Sequence, residues 1–162
     1  LGAEMLVLGQ VAQTTAEGRR QIEAAMKDGS GVEVFRKVVE TQGGDSSVCD
    51  GEAACLPRAA NPVEIVADKA GVVTAINTQQ VGMAALVLGA GRRRAEDAID
   101  PAVGFEVLVK CGQRVEVGTP LAVAHVNDES ALAEAQETFL NAYSVDANAG
   151  GATELPLVLE TL

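Results

Sequence analysis

Gly71-Val-Val-Thr-Ala-Ile76 and Val109-Lys-Cys-Gly-Gln-Arg-Val-Glu-Val-Gly-Thr-Pro-Leu-Ala-Val-Ala-His125 carry the pattern that decides the fold. Both are brief apolar alternations broken by glycine-marked turns, which is how a small twisted sheet reads and how a helix does not. Between them lie Leu88-Gly-Ala-Gly-Arg-Arg-Arg94 and Asp100-Pro-Ala-Val-Gly104. The β-pattern is therefore interrupted by a long insertion, and the interruption characterises the chain better than any catalytic motif.

Working outward, strands are expected at Val63–Val66, Val72–Ile76, Phe105–Val109 and Leu121–His125, each bounded by Gly, Pro, Asn or Asp. A helix at about Gln79–Leu88 is embedded among them: Thr78 serves as its cap, Val81, Ala84, Ala85 and Leu88 share a face, and Gly89 stops it. After Asn127 the spacing turns helical again, with Asp128 as cap and Leu132, Ala135, Phe139 and Tyr143 on one face. A turn at Gly150-Gly151 then leads to Leu155-Pro-Leu-Val-Leu159, an edge strand in which Pro156 is tolerated.

The first 44 residues read as three short helices. The chain opens on Leu1-Gly-Ala-Glu-Met-Leu-Val-Leu8, without an initiator Met and inside an apolar helical pattern, as expected of a fragment of a longer protein. Thr14-Thr-Ala-Glu17 and Ser30-Gly-Val-Glu33 are capping boxes that start the second and third helices, and Gly43-Gly44 ends the third. Residues 45–61 have no sustained periodicity and read as a linker, which sets the expected organisation at 1–44, 45–61 and 62–162.

Composition narrows the possibilities. The chain has 162 residues, 48% of them hydrophobic, enough for a core, but 2% aromatic content and no Trp leave the core to Val, Leu, Ile and Ala. The net charge of −11 argues against nucleic-acid and anionic-membrane partners, which need a basic footprint. Residues 128–162 carry seven acids and no base, so most of that excess belongs to a solvated C-terminal surface. Residues 70–91 carry no charge, yet Thr74, Asn77, Thr78, Gln79 and Gln80 break the apolar run and rule against a membrane span. Cys49, Cys55 and Cys111 fit neither a zinc signature nor a disulfide framework, and reduced thiols in a cytoplasmic protein are expected. No secretory signal is visible.

Few residues carry chemistry. Gly89-Ala-Gly91 followed by Arg92, Arg93 and Arg94 has the ingredients of an anion loop, since glycine lets backbone N–H groups approach an oxyanion and guanidinium pairs with it bidentately. Its position after a helix, at the negative end of the dipole, is wrong for a phosphate loop of the usual kind. The two readings that remain are helix-capping arginines and an interdomain or active-site-closing loop. Glu96, Asp97 and Asp100 are close enough in sequence to pair with those arginines on the surface. Asp68-Lys69-Ala70 has the tripeptide of a lipoyl attachment site, but Lys69 stands two residues before Gly71, too close for the hairpin tip that carries a modified lysine. His125, the single histidine, is expected to be a hydrogen-bonded structural residue.

Leu1–Leu8, Phe35-Arg-Lys-Val-Val-Glu-Thr-Gln-Gly-Gly-Asp45, Leu88-Gly-Ala-Gly-Arg-Arg-Arg94, Ile99-Asp-Pro-Ala-Val-Gly104 and Val109–His125, taken in order, resemble the C-terminal third of pyrimidine-nucleoside phosphorylases, the family that includes thymidine phosphorylase. The resemblance implies an α+β chain: the last helices of a large α/β domain, then a small barrel-sandwich hybrid of lipoyl/biotinyl-like shape with a helix-and-loop insertion and a C-terminal helix. It implies a pentosyl transfer in nucleoside salvage, the reversible phosphorolysis of pyrimidine nucleosides to free base and (deoxy)ribose 1-phosphate, with inorganic phosphate as co-substrate and no other cofactor. It implies a cytoplasmic homodimer for the parent protein. The family's Lys-His-Ser-Thr-Gly-Gly motif has no counterpart in this sequence, so no catalytic, substrate-binding or metal-binding residue carries over, and the chain alone is expected to be inactive. The alternative is a stand-alone, non-enzymatic barrel-sandwich binding or carrier module.

Overall fold

The computed structural model describes residues 1–51, 55–92 and 94–150. The expected edge strand at Leu155–Leu159 lies outside the described residues, as does Arg93. The chain divides into two compact units, Leu1–Leu56 and Pro57–Leu162.

The first unit holds α1 (Gly2–Leu8), α2 (Thr15–Lys27), α3 (Ser30–Thr41) and a 3-10 helix at Ser46–Cys49. Thr14 caps α2 as expected, its hydroxyl accepting the Glu17 N–H at 3.2 Å, while the Glu17 carboxylate accepts the N–H of Gln13 at 2.9 Å, one residue earlier than a strict box requires. The second box is not formed. Gly29 is the N-cap of α3, and the Ser30 N–H donates instead to Asp28 Oδ1 at 2.8 Å, because an aspartate two residues upstream reaches the same free donor with less chain to order. The Gln42-Gly-Gly-Asp45 marker is a piece of capping machinery. Gly43 takes φ +78 just past α3, and Asp45 Oδ1 accepts the Ser47 N–H at 2.9 Å to start the 3-10 helix. Arg36 then ties α3 to that helix through Ser46 O at 3.1 Å and Asp50 Oδ1 at 2.7 Å. The stretch expected to be a linker thus begins with an ordered turn. Among the described apolar side chains of this unit only Ala12 is buried; Met5 is 70% exposed, Leu8 83% and Phe35 55%.

The second unit is α+β. Its first sheet has β1 (Asn61–Val66), β5 (Pro120–Val126) and β3 (Gly104–Val107) in the order β1-β5-β3; its second has β4 (Arg114–Val115), β2 (Gly71–Ile76) and β6 (Tyr143–Asp146) in the order β4-β2-β6. All pairs are antiparallel. Among the described residues the sheets remain two separate three-stranded layers and do not close into one barrel. The register Ile65↔Ala122 and Val63↔Ala124 puts β1 and β5 side chains on one buried face. Small alanines on β5 leave room there for Ile65, Val73, Val115, Leu121 and Phe139 in a shared core. Gly71 marks the tightest approach: a Cβ there would sit 2.6 Å from the backbone of Asp146, so β6 can lie against β2 only because this position has no side chain.

The four expected strands are present with boundaries shifted by a few residues, and two more were hidden. β4 is two residues long. β6 takes Tyr143, which the helical spacing had placed on the last helix. That helix, α5 (Leu132–Asn141), follows a 3-10 turn at Glu129–Ala131 capped by Asp128 and ends two residues before Tyr143. Tyr143 still reaches Phe139, ring centroids 5.2 Å apart, but from the neighbouring strand. The inserted helix, α4 (Thr78–Val87), is capped by Asn77 rather than Thr78, with Asn77 Oδ1 accepting the Gln80 N–H at 3.2 Å. It packs on α5, where Ala84 and Ala135 are both fully buried.

Phe139→Ala should destabilise the second unit by about 3–5 kcal/mol, the usual cost of emptying a fully buried aromatic site. Phe35→Ala, on an exposed face of α3, should stay within about 0.5 kcal/mol. Urea denaturation of both variants measures the contrast.

Candidate arginine loop and its anchor

The insertion leaves α4 at Gly89 and returns to the sheet at Gly104. Leu88, Gly89 and Ala90 donate their backbone N–H groups to the carbonyls of Ala84, Leu86 and Ala85, so α4 is closed by its own backbone, with no basic residue in its last turn. Three of the carbonyls that capping arginines could use, those of Ala84, Ala85 and Leu86, are thus taken by backbone donors. Arg92 and Arg94 are exposed. Arg94 and Asp97 make a reciprocal turn: the Arg94 N–H donates to Asp97 Oδ2 at 2.8 Å, and the Asp97 N–H donates to Arg94 O at 3.1 Å.

Asp100 has its carboxylate engaged by other partners. Its Oδ1 accepts the Ala102 N–H at 2.9 Å, its Oδ2 accepts Asn127 Nδ2 at 2.7 Å, and its own N–H donates to Gly89 O at 2.9 Å, closing the neck of the loop. Asn127 stands just past the end of β5, and its Oδ1 accepts the N–H of Ala60 at 2.9 Å. The Asn127 hydrogen bond, followed by that from Ala102, holds the Asp100 carboxyl below the ordinary aspartate value, since both favour the charged form. The Asp-Pro-Ala sequence at 100–102 carries the local signal for the first of these turns. The partnership with Asn127, 27 residues away, leaves no sequence signal.

The other candidates are placed apart from this loop. Lys69 is exposed in the β1–β2 connection beside Asp68, Nζ to Oδ2 3.9 Å, two residues from the start of β2. His125 lies on β5 opposite Gly104, 41% exposed, with Nε2 4.0 Å from Glu106 Oε2 on β3. A cleft of about 430 Å³ is lined by Asp68, Gln136, Glu137 and Asn141, and an open groove of about 300 Å³ runs along α3 beside Val34, Val38 and Thr41; neither includes an arginine-loop residue. Among the described residues no cluster of three His, Cys, Asp or Glu side chains is placed to hold a metal, and no helix is long and apolar enough to cross a membrane.

Residues 72–146 match the model of the pyrimidine nucleoside phosphorylase C-terminal domain. The chain is 40% identical over 143 residues to a thymidine phosphorylase of Burkholderia cenocepacia, covering 88% of this chain and 33% of that protein. It is 43% identical over 130 residues to the pyrimidine-nucleoside phosphorylase of Bacillus subtilis, covering 80% of this chain and 30% of that protein. The chain spans about a third of the length of these curated relatives.

Replacing Asn127 by Ala should move the Asp100 titration up toward the ordinary aspartate value, read from the pH dependence of its carboxyl carbon shift. The folded value is depressed, so the stabilisation from the charged pair is complete at neutral pH and fades as the pH falls through that depressed value. Urea midpoints of wild type and Asn127→Ala should accordingly differ at neutral pH and converge in acid.

Proposed function

We propose that the chain, whose residues 72–146 match the pyrimidine nucleoside phosphorylase C-terminal domain, is the C-terminal part of a pyrimidine-nucleoside phosphorylase. The reaction is attack of inorganic phosphate on C1′ of a pyrimidine nucleoside, breaking the glycosidic bond and leaving free base and (deoxy)ribose 1-phosphate. It is a reversible pentosyl transfer in the cytoplasm, with phosphate as co-substrate and a homodimer as the working form. The observation that carries this reading is sequence identity of 40% over 143 residues, a longer stretch than the matched domain.

The chemistry assigns a limited part to this chain. As the glycosidic bond lengthens, positive charge grows on the sugar and negative charge on the departing base, so catalysis comes from positioning phosphate and neutralising developing charge in a site closed to water. The groups that hold phosphate and base in that family belong to glycine-rich motifs such as Lys-His-Ser-Thr-Gly-Gly, which the 162 residues do not contain, so on this proposal the chain by itself is inactive. Its contribution is the loop bearing the exposed Arg92 and Arg94, a concentration of positive charge on a chain of net charge −11. We assign that loop to domain closure over the anionic substrate. The two sheets, which share one core, are the halves of a barrel-sandwich hybrid that serves as its rigid support.

In the intact enzyme, Arg92→Ala/Arg94→Ala should lower kcat/KM for phosphorolysis by about tenfold or more, equivalent to losing about 1.4 kcal/mol of transition-state stabilisation. The melting temperature should be unchanged, because both side chains are exposed. Wild-type kinetics in that variant would remove the loop from the mechanism.

A further inference from the structure

The anchor of the arginine loop reaches further than the loop. The chain enters the second unit through Pro57–Ala60, passes through β1, and leaves β5 at Asn127 beside its own starting point. The side-chain amide of Asn127 has two ends with opposite chemistry, and each is used. Oδ1 takes the N–H of Ala60 from the entering segment at 2.9 Å, and Nδ2 gives a proton to Asp100 at the neck of the loop at 2.7 Å. Turning the amide over would set a donor against the Ala60 N–H and an acceptor against a carboxylate, so only one orientation serves both sides. Asp100 continues the connection to Gly89 through its backbone N–H and to Ala102 through Oδ1.

We infer that Asn127 is a positioning residue that couples the segment entering the second unit to the base of the arginine loop, so that displacing Ala60 and loosening the loop neck are one event. Two features support coupling over mere local stability. Three bonds form an unbroken series, Ala60–Asn127–Asp100–Ala102, through a single amide and a single carboxylate, and bonds in such a series strengthen one another, while the Asp100 backbone N–H adds the bond to Gly89. The link to Asp100 is also charge-assisted, which makes it stronger than a neutral bond and more costly to leave half-made. The bonds join segments that are distant in sequence: Ala60 precedes β1, while Gly89 follows α4. This inference deepens the arginine-loop reading and rests on it for its kinetic consequence alone.

The network permits a polarity swap that serves as a test. Asn127→Asp sets two carboxylates face to face. Asp100→Asn leaves a single side-chain acceptor for two donors, Asn127 Nδ2 and the Ala102 N–H, so one bond of the series is lost. The double variant Asn127→Asp/Asp100→Asn restores each bond in the reverse sense: Asn at 100 donates to Asp at 127, Asp at 127 still accepts from Ala60, and Asn at 100 still accepts from Ala102. It also keeps the wild-type net charge.

Hydrogen exchange of the 162-residue chain, read by NMR at the Ala60 and Asp100 amides with the Val73 amide as the internal reference, distinguishes the cases. Each single variant should accelerate exchange at both amides by about tenfold, the scale of losing one charge-assisted bond, and the double variant should return both to within about twofold of wild type. Asp100→Asn is the sharper arm, because Ala60 has no direct bond to residue 100. Unchanged exchange at Ala60 in that variant, or no recovery in the double variant, overturns the coupling. In the intact enzyme the same set should show kcat falling in both single variants and recovering in the double. Coupled exchange with unaltered kcat would leave the bridge standing and refute its kinetic consequence together with the arginine-loop reading.

Discussion

Three of the chain's four aromatic side chains are spent in one column, and the second unit depends on it. Phe139 is fully buried between Phe105, 4.7 Å away by ring centroids, and Tyr143, 5.2 Å away, and the Tyr143 hydroxyl donates to Val109 O at 3.1 Å. The column therefore joins β3 of the first sheet, α5, and β6 of the second sheet. Tilted aromatic contacts of this kind add about 0.5–1.5 kcal/mol each beyond the area they bury. In a core otherwise made mainly of Val, Leu, Ile and Ala, these rings are the largest side chains among the described residues. Burial also raises the Tyr143 pKa, so the phenol stays neutral and remains a donor throughout the ordinary pH range.

The first unit has no such column. Its fourth aromatic, Phe35, is exposed, and its helices are held by caps and by Arg36 rather than by a buried core. The apolar positions of α1 and α3 are spaced for burial on one face, as in a helix that covers a core. Among the described residues these faces meet no core. That contrast fits a chain spanning about a third of the length of its relatives, in which the second unit supplies its own core and the first does not.

What was legible in the sequence follows the range of the interactions. Strands bounded by turn residues and helices opened by Thr14, Asp128 or an apolar stripe could be read because their signals are local. β6 could not: Tyr143-Ser-Val-Asp146 alternates apolar and polar residues but is only four residues long and continues the helical spacing of Phe139, and it lies on β2 because Gly71 lets the backbone of Asp146 approach. Tyr143 was assigned to the right cluster through the wrong element, since a residue four past Phe139 meets that ring from a helix or from the adjoining strand alike. The Ser30 box failed because a nearer competitor, Asp28, takes the donor that Ser30 and Glu33 were expected to organise. In the candidate loop the arginines were visible as a charge run, whereas the anchor was not, because the β1–β5 pairing brings Ala60 to Asn127 and the β3–β5 pairing brings Asp100 there.

The division between tip and anchor has a physical logic. A loop that must change position cannot be fixed by burying apolar side chains, since each displacement would expose them and cost several times the thermal energy. Hydrogen bonds that exchange with water cost far less to open and yet define a single closed geometry. In the insertion the exposed Arg92 and Arg94 carry the charge, and the neck is held by backbone and carboxylate bonds at Gly89, Asp100 and Asn127. Val103, buried immediately after the neck, then returns the chain to the core. Val103 thus anchors the C-terminal side of the insertion in the core, and the Asn127 amide binds its neck to the end of β5.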